Sequence, residues 1–251
     1  MGLFVFSLSF VFLSSTAFAH AGDLYDGFES ESLTKIWSTK RLVPGALKIQ
    51  HQVVRKGTSA IEITIHPRDR YTPGDGKSDA TERDELSETS ELMSQLGKAY
   101  AYQFSILIPK DFPIVPTRLV LAQWKQDCPR STCLPDNPVV ALRYVGGELY
   151  VTVQNSEHKQ AVYQTREDVR GRWLDFKFEI RFSPEKNGLL KVWLDDKLLT
   201  EFKGPTAYPA VNGYPADARF YFKMGLYRDL MKKLMTVYID EYRKTELPIR
   251  P

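Results

Sequence analysis

The sequence predicts an all-β fold, a single-domain jelly-roll sandwich of two antiparallel sheets. Three observations carry this. From Asp23 onward hydrophobic residues recur with a period of two, the spacing that puts alternate side chains on opposite faces of a strand. Short apolar or alternating runs end at Gly, Pro, Asn and Asp turn signals along the whole chain. No repeat, linker or composition break divides the 251 residues, a length that one β domain can fill around a large core. With 26% charged and 43% hydrophobic residues and a formal net charge of +3, the composition excludes wholesale disorder. The mild positive charge permits an acidic ligand without requiring one.

The chain opens on an uncharged run, Gly2 to Phe18, rich in Phe, Leu and Val. Ala17-Phe18-Ala19 and Ala19-His20-Ala21 follow, both fitting a small-residue cleavage pattern, so residues 1–21 read as a secretory signal peptide and 22–251 as the folded domain. The run is short for a membrane span. A secreted or periplasmic protein is expected, with no membrane attachment after cleavage.

Strands are predicted at Ala46–Val54, Ala60–Ile65, Ala99–Ile108 and Arg118–Lys125. Val139–Tyr144 and Glu148–Gln154 meet at Gly146-Gly147 as a hairpin. In Trp173–Phe182, Trp173, Phe176, Phe178, Ile180 and Phe182 are apolar amid charge. Leu189–Leu194, the turn Asp195-Asp196, Leu198–Phe202, Arg219–Tyr227 and Thr236–Tyr242 complete the series, with Arg228–Lys233 as a short helical or irregular link. The long stretches 67–80, 109–116, 126–137 and 203–218 read as loops of the kind that wall a cleft. Cys128 and Cys133 stand five apart, and in an oxidising compartment they form a small disulfide loop. Two thiols are too few for a structural zinc site.

Three segments carry polar groups on one strand face and anchors on the other. Arg83 shares a face with Glu85, and Gln123 shares one with Lys125 while Trp124 points away. Tyr221, Lys223, Gly225 and Tyr227 share a third face, opposite Phe222, Met224 and Leu226. Gly225 leaves a gap where another backbone or a ligand comes close. Taken singly, each such strand is ordinary solvated sheet surface.

Together the strings resemble those of the jelly-roll polysaccharide lyases, a group that includes heparin lyase I-like, glucuronan lyase and alginate lyase families. Arg83-Asp84-Glu85-Leu86 is similar to the group's Arg-x-Glu-Leu strand, and Gln123-Trp124-Lys125 to its Gln-x-His strand. Tyr221-Phe222-Lys223-Met224-Gly225-Leu226-Tyr227 is similar to its Tyr-Phe-Lys-x-Gly-x-Tyr strand. Order and spacing match over nearly the whole mature chain. The segments Arg55 to Ala60 and Pro109 to Pro113 look most like the heparin lyase I-like and glucuronan lyase branch.

The resemblance implies a concanavalin-like jelly roll. It also implies cleavage of a uronate-containing polysaccharide (glucuronan, alginate or heparin-like) by β-elimination. The partner is then an anionic polysaccharide and not a nucleic acid, and the protein is expected to be a monomer. No metal or organic cofactor is required, since side chains can neutralise the uronate, and a structural calcium ion stays open.

For that chemistry Arg83 offers a planar cation to a carboxylate. Gln123 offers an amide N–H where charge builds up. Tyr227 is the expected proton-transfer group, and Lys223 tunes it or binds the uronate. One departure from the group is Lys125, which stands where a histidine commonly serves as base, and an ammonium group is a poor base at neutral pH. His66, at the end of a strand before the first long loop, is therefore a rival base. Glu85 is expected to orient Arg83, while Lys125, Tyr221 and Arg143 extend a substrate-binding surface.

Two other classes share such folds. A glycoside hydrolase needs two carboxyl groups about 5 to 10 Å apart across the scissile bond. Glu82 and Asp84 share a face, but Ser87 stands where a third acid would complete a Glu-x-Asp-x-x-Glu string. A non-catalytic, lectin-like carbohydrate binder is the other alternative.

Overall fold

The computed structural model describes residues 23–70, 80–128, 133–156 and 159–248. The expected signal peptide, residues 1–21, lies outside the described residues, as do positions 71–79 and 129–132 of two expected loops. In chain order the strands are β1 (Leu24–Asp26), β2 (Trp37–Ser38), β3 (Leu47–Gln50), β4 (Ala60–Ile65), β5 (Thr81–Glu88), β6 (Ser94–Gln95), β7 (Ala99–Leu107) and β8 (Leu119–Gln126). There follow β9 (Val140–Val145), β10 (Glu148–Gln154), β11 (Lys159–Thr165), β12 (Trp173–Arg181), β13 (Leu189–Leu194), β14 (Lys197–Lys203), β15 (Arg219–Asp229) and β16 (Met235–Leu247). Among the described residues there is no α-helix, only two 3-10 turns at Ser90–Leu92 and Ala210–Asn212.

The strands form two antiparallel sheets of eight. One runs β14-β13-β12-β7-β16-β4-β3, with β1 beside β16. The other runs β11-β10-β9-β8-β15-β5-β2, with β6 beside β15. This is the expected jelly-roll sandwich, and alternation builds it. Along β12, Leu174, Phe176, Phe178 and Ile180 face inward between half-exposed polar residues. Trp173 departs from the expected pattern, staying half-exposed while Leu174 takes the inward place. The anchors Trp124, Phe222, Met224 and Leu226 are all fully buried. Trp124 lies 4.6 Å from Phe178 and 5.0 Å from Phe222 between ring centroids, joining the two sheets.

Several expectations change; β16, for one, runs on to Leu247 rather than ending at Tyr242, and the short β1, β2 and β6 were not expected. β3 stops at Gln50 rather than Val54, because the Gln50 side-chain oxygen accepts from Gln52 N (2.8 Å) and Val53 N (2.9 Å) and turns the chain out of the sheet. β15 runs on to Asp229, so the link to β16 is irregular and shorter than expected. β11, Lys-Gln-Ala-Val-Tyr-Gln-Thr, was not expected as a strand, since an edge strand that is largely exposed carries no alternation.

Two features lock β5 against β15. Gly225 has φ of 131°, and a Cβ there would lie 2.5 Å from the Asp84 carbonyl oxygen. The gap at Gly225 therefore admits the neighbouring backbone. Beneath it, the buried Glu82 and Arg228 side chains pair at 2.6 Å. Glu82 and Asp84 both point into the interior, which removes them from the solvent face of the sheet. Breaking one side of a buried pair leaves an uncompensated charge. Arg228→Met should therefore cost about 3–5 kcal/mol in urea denaturation, and adding Glu82→Gln should recover a large part of the loss.

Candidate active site

The strands β8, β15 and β5 lie side by side in that order. Register sets the outward groups in rows: Gln123 pairs with Lys223, Lys125 with Tyr221, and Arg83 with Tyr227. A register shift between Met224 and Tyr227 on the β8 side, and another between Val120 and Ala122 against β9, distort the sheet here. Bulges of this kind re-aim side chains. The result is a cleft of about 710 Å³. Among the described residues six cations line it, Arg83, Arg118, Lys125, Arg143, Lys159 and Lys223, with Gln123 and Tyr227 among them and Asp136 as the one acid.

Under the cleft floor lies Glu85, which is fully buried. One carboxylate oxygen accepts from Gln123 Nε2. The other accepts from Lys223 Nζ at 2.9 Å and lies 3.2 Å from Arg83 Nε. Burial opposes the Glu85 charge, but Lys223 and Arg83 overcome it and hold the carboxyl below its usual range. Lys223 has the opposite balance. Burial pushes its ammonium down, Glu85 resists, and the Arg83 and Arg41 charges push it further.

Arg83 lies 4.5 Å from the Tyr227 ring centroid and Arg118 lies 5.1 Å from it. Among the described residues the Tyr227 hydroxyl makes no hydrogen bond. Lys125 Nζ pairs with Asp136 at 2.7 Å. Arg143 donates from Nε to Thr152 Oγ1 at 3.1 Å, and burial, then Arg118, pushes its guanidinium down to about 10. The Arg143 charge is also the main reason that Lys159 is lowered. Cations that depress one another in this way mark a surface short of negative charge.

Of the expected site residues, Arg83, Gln123, Lys125, Arg143, Lys223 and Tyr227 meet in this cleft. Tyr221 lies beside it, in a depression shared with Arg41 and Ser87. His66 does not join them. It lies just after β4, in the segment that leads to β5, where the Asp69 carbonyl accepts from Arg83 N at 3.1 Å; its side chain is 53% exposed, Nδ1 lies 3.3 Å from Asp69 Oδ2, and it is not among the described residues that line the cleft. Arg118 and Lys159 were missed. Arg118 precedes β8 by one residue, and Lys159 opens the unexpected strand β11, so neither sits in a marked string. Cys128 and Cys133 are disulfide-bonded, and the loop that follows carries Asp136. Among the described residues no group of three or more His, Cys, Asp or Glu gathers as a metal site.

A polysaccharide lyase family model matches residues 22–243. The chain belongs to this family. It is an enzyme, a polysaccharide lyase. Similar solved structures include an endo-β-1,4-glucuronan lyase from the fungus Trichoderma reesei, at 21% identity and TM-score 0.65, covering 84% of this chain and 90% of that one. The family 7 alginate lyase AlgAT5 is similar at 14% identity and TM-score 0.56, covering 82% and 85%. A cellulose-induced protein, Cip1, is similar at 10% identity and TM-score 0.60, covering 90% and 98%. At these identities the likeness shows the shared jelly-roll fold. No curated protein matches the chain.

Glu85→Gln tests the floor of the lyase's cleft. The Lys223 ammonium would then face Arg83 and Arg41 without a counter-ion, at a cost of about 3–5 kcal/mol. A lysine held below its unfolded value of 10.5 binds fewer protons folded than unfolded, so stability rises with pH between the two values. Removing Glu85 widens that window downward. The loss in the variant should therefore be larger at about pH 6 than at about pH 9 in urea titrations.

Proposed function

We propose that this lyase cleaves a uronate-containing polysaccharide by β-elimination. The observation that carries the reading is the cation-rich cleft with one unpartnered phenol at its centre, Tyr227 among Arg83, Arg118, Gln123 and Lys223. β-Elimination asks for three things: a neutralised C6 carboxylate, removal of the C5 proton, and protonation of the departing O4.

Arg83 keeps part of its guanidinium in the cleft, with its side chain 29% exposed, and can engage a carboxylate with two parallel N–H groups. Gln123 spends one N–H on Glu85, which fixes the amide plane and leaves the second N–H for the substrate. Charge that develops on the uronate oxygens meets these donors already in place.

Tyr227 then moves the protons. Its oxygen, acting as the phenolate, takes the C5 proton; the C5 electron pair forms the C4–C5 double bond as the C4–O4 bond breaks, and the phenol so formed gives the proton to O4, which suits a syn elimination. Lys125 is tied to Asp136 as an ion pair and serves as a cation for the polymer rather than as the base. His66 does not line the cleft among the described residues, and the reading gives it no step. Side-chain cations do the neutralising, so the reading assigns no step to a metal.

The similar solved structures are named for glucuronan and alginate. These polymers and heparin share the reacting uronate, and an exported enzyme with a disulfide is suited to meeting them outside the cell. No helix among the described residues is long and apolar enough to cross a membrane.

The test is a panel of glucuronan, alginate, heparin and pectate, read by the ultraviolet absorbance of the unsaturated product. A rise on one polymer is expected, with Tyr227→Phe slower by about 10²–10⁴. New reducing ends without absorbance would instead indicate a hydrolase. Binding with neither signal would indicate a lectin-like protein.

A further inference from the structure

Four of the six cations that line the cleft have their charge answered within the protein. Arg83 and Lys223 share Glu85, Lys125 pairs with Asp136 at 2.7 Å, and Arg118 pairs with Asp229 at 2.6 Å. Arg143 and Lys159 differ. Among the described residues neither forms an ion pair with a carboxylate, and none counters the shifts by which burial and neighbouring cations lower both groups. Arg143 is the sharper case. It is only 8% exposed, and its one side-chain hydrogen bond among the described residues runs from Nε to the neutral Thr152 hydroxyl. A guanidinium taken out of water without a counter-ion is costly to keep.

Register places this unanswered charge relative to the reacting centre. Thr152 of β10, which holds Arg143 Nε, is aligned with Ala141 of β9, Ala141 with Gln123 of β8, and Gln123 with Lys223 of β15. The Arg143 guanidinium is thus tied to the row that ends in the donors offered to the reacting uronate. Thr152 and Gln123 stand two inter-strand steps apart, about 10 Å. Lys159 of β11 opposes Gln154 of β10, two residues on from Thr152, and lines the same end of the cleft. With Nε fixed, the planar guanidinium is held in one orientation before any ligand arrives, which suits two parallel N–H bonds to an acid.

We propose that Arg143 and Lys159 form a second acid-binding seat in the cleft, filled by the carboxylate or sulfate of another sugar of the bound chain, about two strand spacings from the reacting uronate. The inference rests on the lyase reading of the same cleft. Two seats make the enzyme selective for how closely acidic sugars follow one another. A polymer with acid groups on neighbouring sugars fills both. A chain whose uronates stand isolated among neutral sugars fills one and leaves a buried guanidinium unanswered under its own backbone, which is a penalty and not only a lost contact.

The test measures binding apart from cleavage. The full chain carrying Tyr227→Phe is titrated calorimetrically with hexasaccharides of glucuronan, alginate and heparin. Arg143→Met in that background should weaken binding of a hexasaccharide that the parent holds by about 10–100-fold. Lys159→Gln, at an exposed position, should weaken it by a smaller factor, and Lys48→Gln, exposed on β3 of the other sheet, should leave it unchanged. The loss seen with glucuronan or alginate, which carry carboxylates alone, identifies a carboxylate in the seat; a loss confined to heparin identifies a sulfate. Equal binding by the parent and Arg143→Met overturns the proposal, as does failure of the parent to bind any of the three. Should Arg143→Met fail to fold by circular dichroism, Lys159→Gln against Lys48→Gln decides, and equal binding by those two overturns it. Weakened binding in variants of a protein whose Tyr227 form cleaves none of the polymers would overturn the lyase substrate reading and leave the seat standing.

Discussion

The carboxylate of Glu85 sits out of water where three neighbouring strands meet, and a charge so placed has to be answered by donors from all of them. Gln123 comes from β8, Lys223 from β15 and Arg83 from β5 itself. The buried anion therefore does more than offset a lysine. It fixes which way the Gln123 amide turns, holds the Lys223 ammonium below the cleft floor, and keeps Arg83 over Tyr227. Each of these groups is then positioned before a substrate arrives, which is the condition for electrostatic stabilisation without reorganisation.

That arrangement depends on the sandwich being fixed on its other side. Trp124 and Phe222 immediately adjoin Gln123 and Lys223 in sequence and point into the aromatic core. The same alternation that buries the rings presents the polar groups, so packing energy in the core sets the precision of the cleft. Gly225 lets β5 close tightly on β15, bringing Arg83 opposite Tyr227. The inward turn of Glu82 and Asp84 has a chemical consequence as well. The acids that would serve a hydrolase are spent in the interior, and the outer face keeps its positive excess.

Lys125 shows how a departure from a family string can be accommodated. Its ammonium is paired with Asp136, on the loop that follows the Cys128–Cys133 bridge. A lysine tied in this way has its charge answered by a carboxylate, and the cleft keeps its positive excess through the other five cations among the described residues that line it.

The sequence by itself determined most of the longer strands, their inward anchors and the three polar strings, because alternation is a property of residues two apart and needs no knowledge of neighbours. It also carried Arg83, Gln123, Lys223 and Tyr227, whose strings are distinctive. Only the tertiary structure decided that these strings are adjacent, that Glu85 accepts from Gln123 and Lys223 and ion-pairs with Arg83, and that Arg118 and Lys159 join them. The edge strand β11 has no alternation to read, and Arg118, at the start of an expected strand, lies outside the Gln123-Trp124-Lys125 string. His66 follows a plain strand, and only the folded chain shows that its side chain turns to solvent beside Asp69 rather than into the cleft. Strand order and register arise from contacts between residues far apart in the chain, which local periodicity does not encode.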